Sequence, residues 1–155
     1  MIATIGRWKI EYAPEITSRG YSSLPVGSGC DCSDCRNFMA AIDHAFPSEF
    51  RNLAESLGID IRKPAELVHH CREVTGLHYT GGWFHLVGRL CSGADAWTPR
   101  GKNGWVPAFE KLNDDIELGF TNHVALAAKV FEGQHLIQLE FAVRVPWIIA
   151  EPEST

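Results

Sequence analysis

A chain of 155 residues is long enough for one domain with a real core and short for two. Hydrophobic residues make up 45% and charged residues 21%, which excludes a wholly disordered, collagenous or coiled-coil chain. A net charge of −5 with no basic tract disfavours nucleic acid and anionic membranes as partners, and no apolar run approaches the roughly 20 residues of a spanning helix.

Residues 1–8 lack the charged start and apolar stretch of a signal peptide, and five cysteines is an odd number. The expected setting is therefore the reducing cytoplasm, with thiols free or metal-bound rather than paired.

Along the chain, residues 2–12 alternate. Ile2, Thr4, Trp8, Ile10 and Tyr12 share one side, Arg7, Lys9 and Glu11 the other, and the pattern predicts a strand ended by Pro14. Residues 17–29 are rich in Ser, Gly and Pro and read as a loop. Ser33 or Asp34 then caps a helix carrying Phe38, Ala41, Ile42 and Ala45, which Pro47 breaks. A second helix has Phe50, Leu53, Ala54 and Leu57 at i, i+3, i+4 and i+7, with Gly58 as its left-handed stop. Pro64 suits the first turn of a third, with Leu67, Val68, Cys71 and Val74 on its apolar side and Gly76 at its end.

The pair Gly81-Gly82 predicts a two-residue hairpin turn. Thr80 then faces Trp83, Tyr79 faces Phe84, His78 faces His85 and Leu77 faces Leu86. One sheet face shows Leu77, Tyr79, Phe84, Leu86 and Leu90 as core. The other shows His78, Thr80, Trp83, His85, Val87 and Arg89 as a hydrated recognition surface. Residues 91–115 read as a long loop around Trp97, Trp105 and Phe109. Strand signals resume at 116–121 and at 124–131, the latter equally a short helix. The clearest strand is 136–145, with Ile137, Leu139, Phe141, Val143 and Val145 in an apolar row and Gln138, Glu140 and Arg144 in a polar, solvated one. Pro146 ends it, and Trp147-Ile148-Ile149 form a terminal anchor. The expected fold is a single α+β domain over 1–155: two layers, a mainly antiparallel sheet with a block of three helices on one face.

Cys30-x-Cys32-x-x-Cys35 places three soft ligands within six residues. Thiolates suit zinc, and the fourth ligand could come from Cys71, Cys91, His78 or His85. A second CxxC pair is absent, so cysteines without a ligand role remain the simpler reading. Cys32 and Cys35 also form a CxxC entering a helix, where the dipole lowers thiol pKa, although the βαβ context of a redox site is missing. The His78–His85 pair could hold a metal or shuttle a proton, but no carboxylate at suitable spacing completes a catalytic set. His69 and His70 point apart on their helix. Trp97, Arg100, Lys102 and Trp105 interleave rings and charges as a stacking loop does, or close over a core edge. GxSxG, HExxH and a phosphate loop are absent.

The strings CDCSDCRNF, LGIDIRKPAEL, YTGGWFHLVGRL and QLEFAVRVPWII together resemble a family of small bacterial proteins to which no activity is assigned. The resemblance runs from about Cys30 to Ile149. It rests on Cys32, Cys35, Arg36, Asn37, Phe38, Gly58, Ile59, Asp60, Tyr79, Gly81, Phe84, His85, Gly88, Pro146 and Trp147. It implies no catalytic role, and Cys30 stands outside its pattern. The leading expectation is a cytoplasmic binding or interaction domain rather than an enzyme, with a protein partner or small ligand. Toxin immunity is one such role. The binding residues would be His78, Trp83, His85, Arg89, Trp97 and Trp105. The alternative is a thiol- or zinc-dependent enzyme or redox protein using Cys30, Cys32 and Cys35, with Cys71 or His85 completing the site.

Overall fold

Gly6, at φ +55°, folds residues 2–12 back on themselves, so the expected single strand is a hairpin. β1 (Ile2–Ile5) pairs antiparallel with β2 (Trp8–Tyr12), and Trp8 and Ile10 enter the core. Pro14 does more than end a strand: it opens helix α1 (Pro14–Ser22), where its fixed φ suits the first turn. The expected loop therefore begins only after Ser22. The computed structural model describes residues 1–154.

The helical block forms where its spacing predicts, but the first expected helix is split in two at Ala41. α2 (Ser33–Ala40), the short α3 (Ile42–Ala45) and α4 (Ser48–Ser56) follow one another, with Phe38, Phe46 and Phe50 fully buried. Gly58 takes φ +81°, as the chain leaves α4. The third expected helix does not exist. Residues 66–72 are β3 (Glu66–Arg72), antiparallel to β4 (His78–Ser92), with Gly76 at φ +87° in the connection. The helical spacing of Leu67, Val68, Cys71 and Val74 was accidental: only Leu67 is buried, and Val74 is fully exposed.

The hairpin at Gly81-Gly82 is also overturned. Both glycines lie inside β4, and neither has a positive φ. They are required for space rather than for a turn. A Cβ on Gly82 would run into the Glu66 carbonyl oxygen of β3 and lie 2.7 Å from the Phe141 ring. Residues 91–115 hold β5 (Trp97–Arg100), β6 (Gly104–Pro107) and β7 (Glu110–Asn113) instead of an unstructured loop. β8 (Ile116–Thr121) and β9 (Leu136–Val145) complete the set, and only a short 3₁₀ turn, Lys129–Phe131, forms between them.

The fold is α+β. The sheet runs β1-β2-β4-β9-β8-β7, with β3 also on β4, and every pairing is antiparallel. β5 and β6 form a separate two-stranded hairpin. Phe84 and Phe141 meet Phe38, Phe46 and Phe50 from α2, α3's end and α4, which places that helical block on one face of the central strands. β3 stops pairing at Trp83 and β2 starts at Gly88, leaving a gap along β4. α1 fills it with side chains. The Tyr21 hydroxyl donates to the His85 carbonyl oxygen (2.8 Å) and accepts from the His85 N–H (3.1 Å). Thr17 Oγ1 accepts from the Val87 N–H at 3.0 Å. Each group is buried, so leaving it unpaired would cost about 1–3 kcal/mol. Among the described residues no helix is long and apolar enough to cross a membrane.

Candidate functional site

Three thiols converge where the loop after α1 enters α2. Cys32 is the residue before the helix, Cys35 sits in its first turn, and Cys30 turns back toward both. The three Sγ atoms lie within 4.8 Å of one another, with Cys30 and Cys32 3.3 Å apart. A tetrahedral zinc with Zn–S of about 2.3 Å needs sulfurs roughly 3.8 Å apart. The cluster is thus able to hold a metal ion. Cys30 and Cys32 are exposed and Cys35 is buried. The Cys32 backbone and neighbouring thiols lower the Cys30 pKa by hydrogen bonding to its sulfur. Burial, reinforced by the adjacent thiols, raises that of Cys35. Among the described residues no fourth ligand atom joins the three sulfurs: Cys71 and His85, the expected candidates, lie outside the 4.8 Å group, and so does His69, which lines the adjoining cavity. Cys71 is exposed on β3 and Cys91 exposed on β4.

A cavity of about 270 Å³ opens beside the thiols and is shared with Asp34 and His69. Asp34 Oδ1 is buried with no hydrogen-bond partner among the described residues, an orphan that a bound cation would satisfy. His69 Nε2 lies 2.8 Å from His78 Nδ1, and His78 Nε2 lies 3.4 Å from Glu153 Oε1. Because a carboxylate only accepts, His78 Nε2–H donates to it. His78 Nδ1 then accepts from His69 Nε2–H, and His69 Nδ1 keeps its lone pair. That nitrogen sits 3.9 Å from Asp34 Oδ2. A chain of ring, ring and carboxylate of this kind is what orients a metal-binding imidazole.

The expected histidine pair across a hairpin is absent. His78 and His85 lie seven residues apart on one strand and so face opposite sides of the sheet. Both are almost fully buried, which removes the hydrated surface expected there. Burial pushes the His85 pKa down, against the hydrogen bond to Gln138, and the ring is held as a donor: Nε2–H to Gln138 Oε1 at 2.9 Å. Arg89 is exposed and paired with Glu11 at 2.6 Å. Trp83 is half-buried and donates to the Ala125 carbonyl oxygen. Trp105 is exposed on β6, its ring 5.3 Å from that of His123.

The polar row of β9 is a second correction. Gln138 and Glu140 are 3% and 5% exposed, and only Arg144 reaches solvent. The Gln138 carbonyl oxygen accepts from His85 and from the Ala125 N–H, and its amide donates to Glu140 Oε1 at 2.8 Å. Glu140 Oε2 accepts from the Trp97 indole N–H. Burial raises the Glu140 pKa, while these two donors oppose the rise. Alternation with an apolar row predicts a solvated face here. No local signal marks the burial, because what covers the row, Trp97 and Ala125, is remote from it in sequence.

Comparison with protein-family models, curated proteins and solved structures finds no match to this chain.

Proposed function

We propose that the chain is a metal-binding domain in which Cys30, Cys32 and Cys35 hold one zinc ion, with His69 as fourth ligand. The convergence of the three sulfurs within 4.8 Å carries this reading. Three thiols this close cannot all ionise without a cation, because each thiolate repels the next. A zinc ion would tie residues 23–32, which have no strand or helix of their own, to the start of α2. His69 lines the adjoining cavity but stands outside the 4.8 Å group, so it would move in on binding; it is preferred over Asp34 because its far nitrogen is already held by His78 and Glu153, leaving Nδ1 with its lone pair. The role is binding rather than catalysis, with a protein or a small molecule as the further partner.

The test is elemental analysis of the chain purified under reducing conditions without added metal, followed by cobalt substitution. We expect one zinc per chain, and a thiolate-to-cobalt charge-transfer band that Cys32→Ser abolishes. His69→Ala should weaken metal binding by more than about 100-fold, beyond the roughly 10–100-fold that loss of a merely orienting partner costs, while leaving the thiolate band. A chain that arrives metal-free and takes up no cobalt overturns the reading.

A further inference from the structure

The second face of the sheet carries a hollow that the thiol cluster does not explain. Its cavity measures about 370 Å³. Its floor is set by register: Gly81 of β4 lies directly opposite Ala142 of β9, two adjoining positions with almost no side chain. Its sides are large rings. Trp83 and Glu140 are the next facing pair along the same strands, and Trp97 closes over them from the separate β5–β6 hairpin. Tyr79 stands at the opposite end, its ring 5.1 Å from that of His70, which overhangs Gly81.

One group in this hollow lacks a partner of opposite charge. Glu140 is 5% exposed and accepts two hydrogen bonds, both from uncharged donors, Gln138 and Trp97. No lysine or arginine lines the cavity. The cations nearest along the strands are engaged elsewhere, Arg144 with Glu73 at 2.9 Å and Arg89 with Glu11. A carboxylate withdrawn from water without a cation is costly, and it attracts one strongly because the surroundings are poorly screened. Aromatic faces add to that attraction, since a cation over a tryptophan or tyrosine ring gains further energy. An anionic ligand would be repelled by Glu140, and a neutral one would leave its charge unanswered.

We propose that this hollow binds a small organic molecule bearing a primary ammonium group on an aromatic or branched apolar body. The ammonium pairs with Glu140, and the body rests on the Gly81–Ala142 floor between Trp83 and Trp97. Polar groups few in number and apolar walls many is the usual composition of a small-molecule site.

The test is titration of the full chain at neutral pH with benzylamine, benzyl alcohol and benzoate. Binding is followed by calorimetry and by the NMR signals of the tryptophan indole N–H groups. Benzylamine is expected to bind at least tenfold more tightly than benzyl alcohol, with no binding of benzoate. It should shift the Trp97 N–H signal, because that proton is bonded to the carboxylate the amine engages. Glu140→Gln should erase the preference for amine over alcohol, and Ala142→Leu should weaken both ligands by filling the floor. The Trp97 signal reports on the unaltered chain, so the proposal remains testable if a variant fails to fold. Equal affinity for amine and alcohol, an unchanged preference in Glu140→Gln, or no binding of benzylamine overturns the proposal.

Discussion

The two faces of strands β4 and β9 are both buried, yet they are built on different chemistry. One is a dry stack in which Phe84 and Phe141 interlock with Phe38, Phe46 and Phe50, at ring separations between 4.8 and 6.3 Å. The other carries Trp83, His85, Gln138 and Glu140, joined by hydrogen bonds and covered by the β5–β6 hairpin and the segment before the 3₁₀ turn. The first face stabilises by removing apolar area from water. The second tolerates burial only because its polar atoms find partners, and its hollow is walled by rings and a carboxylate, whereas the cavity on the first face opens at the edge, beside the thiols. Alternation along a strand thus separates two environments, and the polar one need not be solvent.

The contrast is tested most severely on the dry face. Phe141→Ala deletes a ring that touches four others, and we expect a loss of about 3–5 kcal/mol in urea unfolding. A loss below 1 kcal/mol would mean that the helical block is not packed on β9 as described.

Gly82→Ala probes the boundary between the faces. The added methyl meets the Glu66 backbone and the Phe141 ring, neither of which is a flexible side-chain end. Overpacking of this kind costs roughly 1–3 kcal/mol. Gly81→Ala should cost less, because its nearest neighbour is the tip of the His70 imidazole at 3.0 Å. Equal, negligible effects at both positions would place the pair in an open turn after all.

The smallest effect comes from the polar face and is read through pH. Burial raises the Glu140 pKa above its ordinary 4.5, so the folded chain holds that proton longer than the unfolded one. Stability from this group is therefore full below pH 4.5 and falls as pH rises through the folded value. His85 acts in the opposite sense. Its pKa is depressed below 6.5, so the unfolded chain takes the proton first, and stability falls as pH drops through 6.5 toward the folded value. Urea midpoints measured across this range should show both slopes, and Glu140→Gln should flatten the first while leaving the second. A variant whose pH profile matches the parent would show that Glu140 is hydrated.

The helical stretches were legible because Phe38, Ala41, Ile42 and Ala45 recur at helical spacing before the breaker Pro47, and Phe50, Leu53, Ala54 and Leu57 before Gly58; the break at Ala41 that separates α2 from α3 was not. β9 was legible from strict alternation, and the thiol cluster from sequence proximity alone, since six residues are too few to carry the sulfurs far apart. β3 was not, because Leu67, Val68 and Cys71 imitate a helical face when burial is unknown. The hollow was invisible for a related reason: Gly81 and Glu140 are 59 positions apart, and no local signal joins them.

Composition and short-range pattern were enough to settle the class of fold, most of the helical block, the core row of β9 and the neighbourhood of Cys30, Cys32 and Cys35, because each depends on residues within a few turns of one another. Tertiary contact alone decided that Gly81 and Gly82 run straight through a strand, that His78 and His85 face apart, and that Glu140 is buried beneath Trp97. Those outcomes follow from which strand lies alongside which and what covers each face. Such long-range pairings are selected by the packing of the whole chain rather than by the preferences of any one segment.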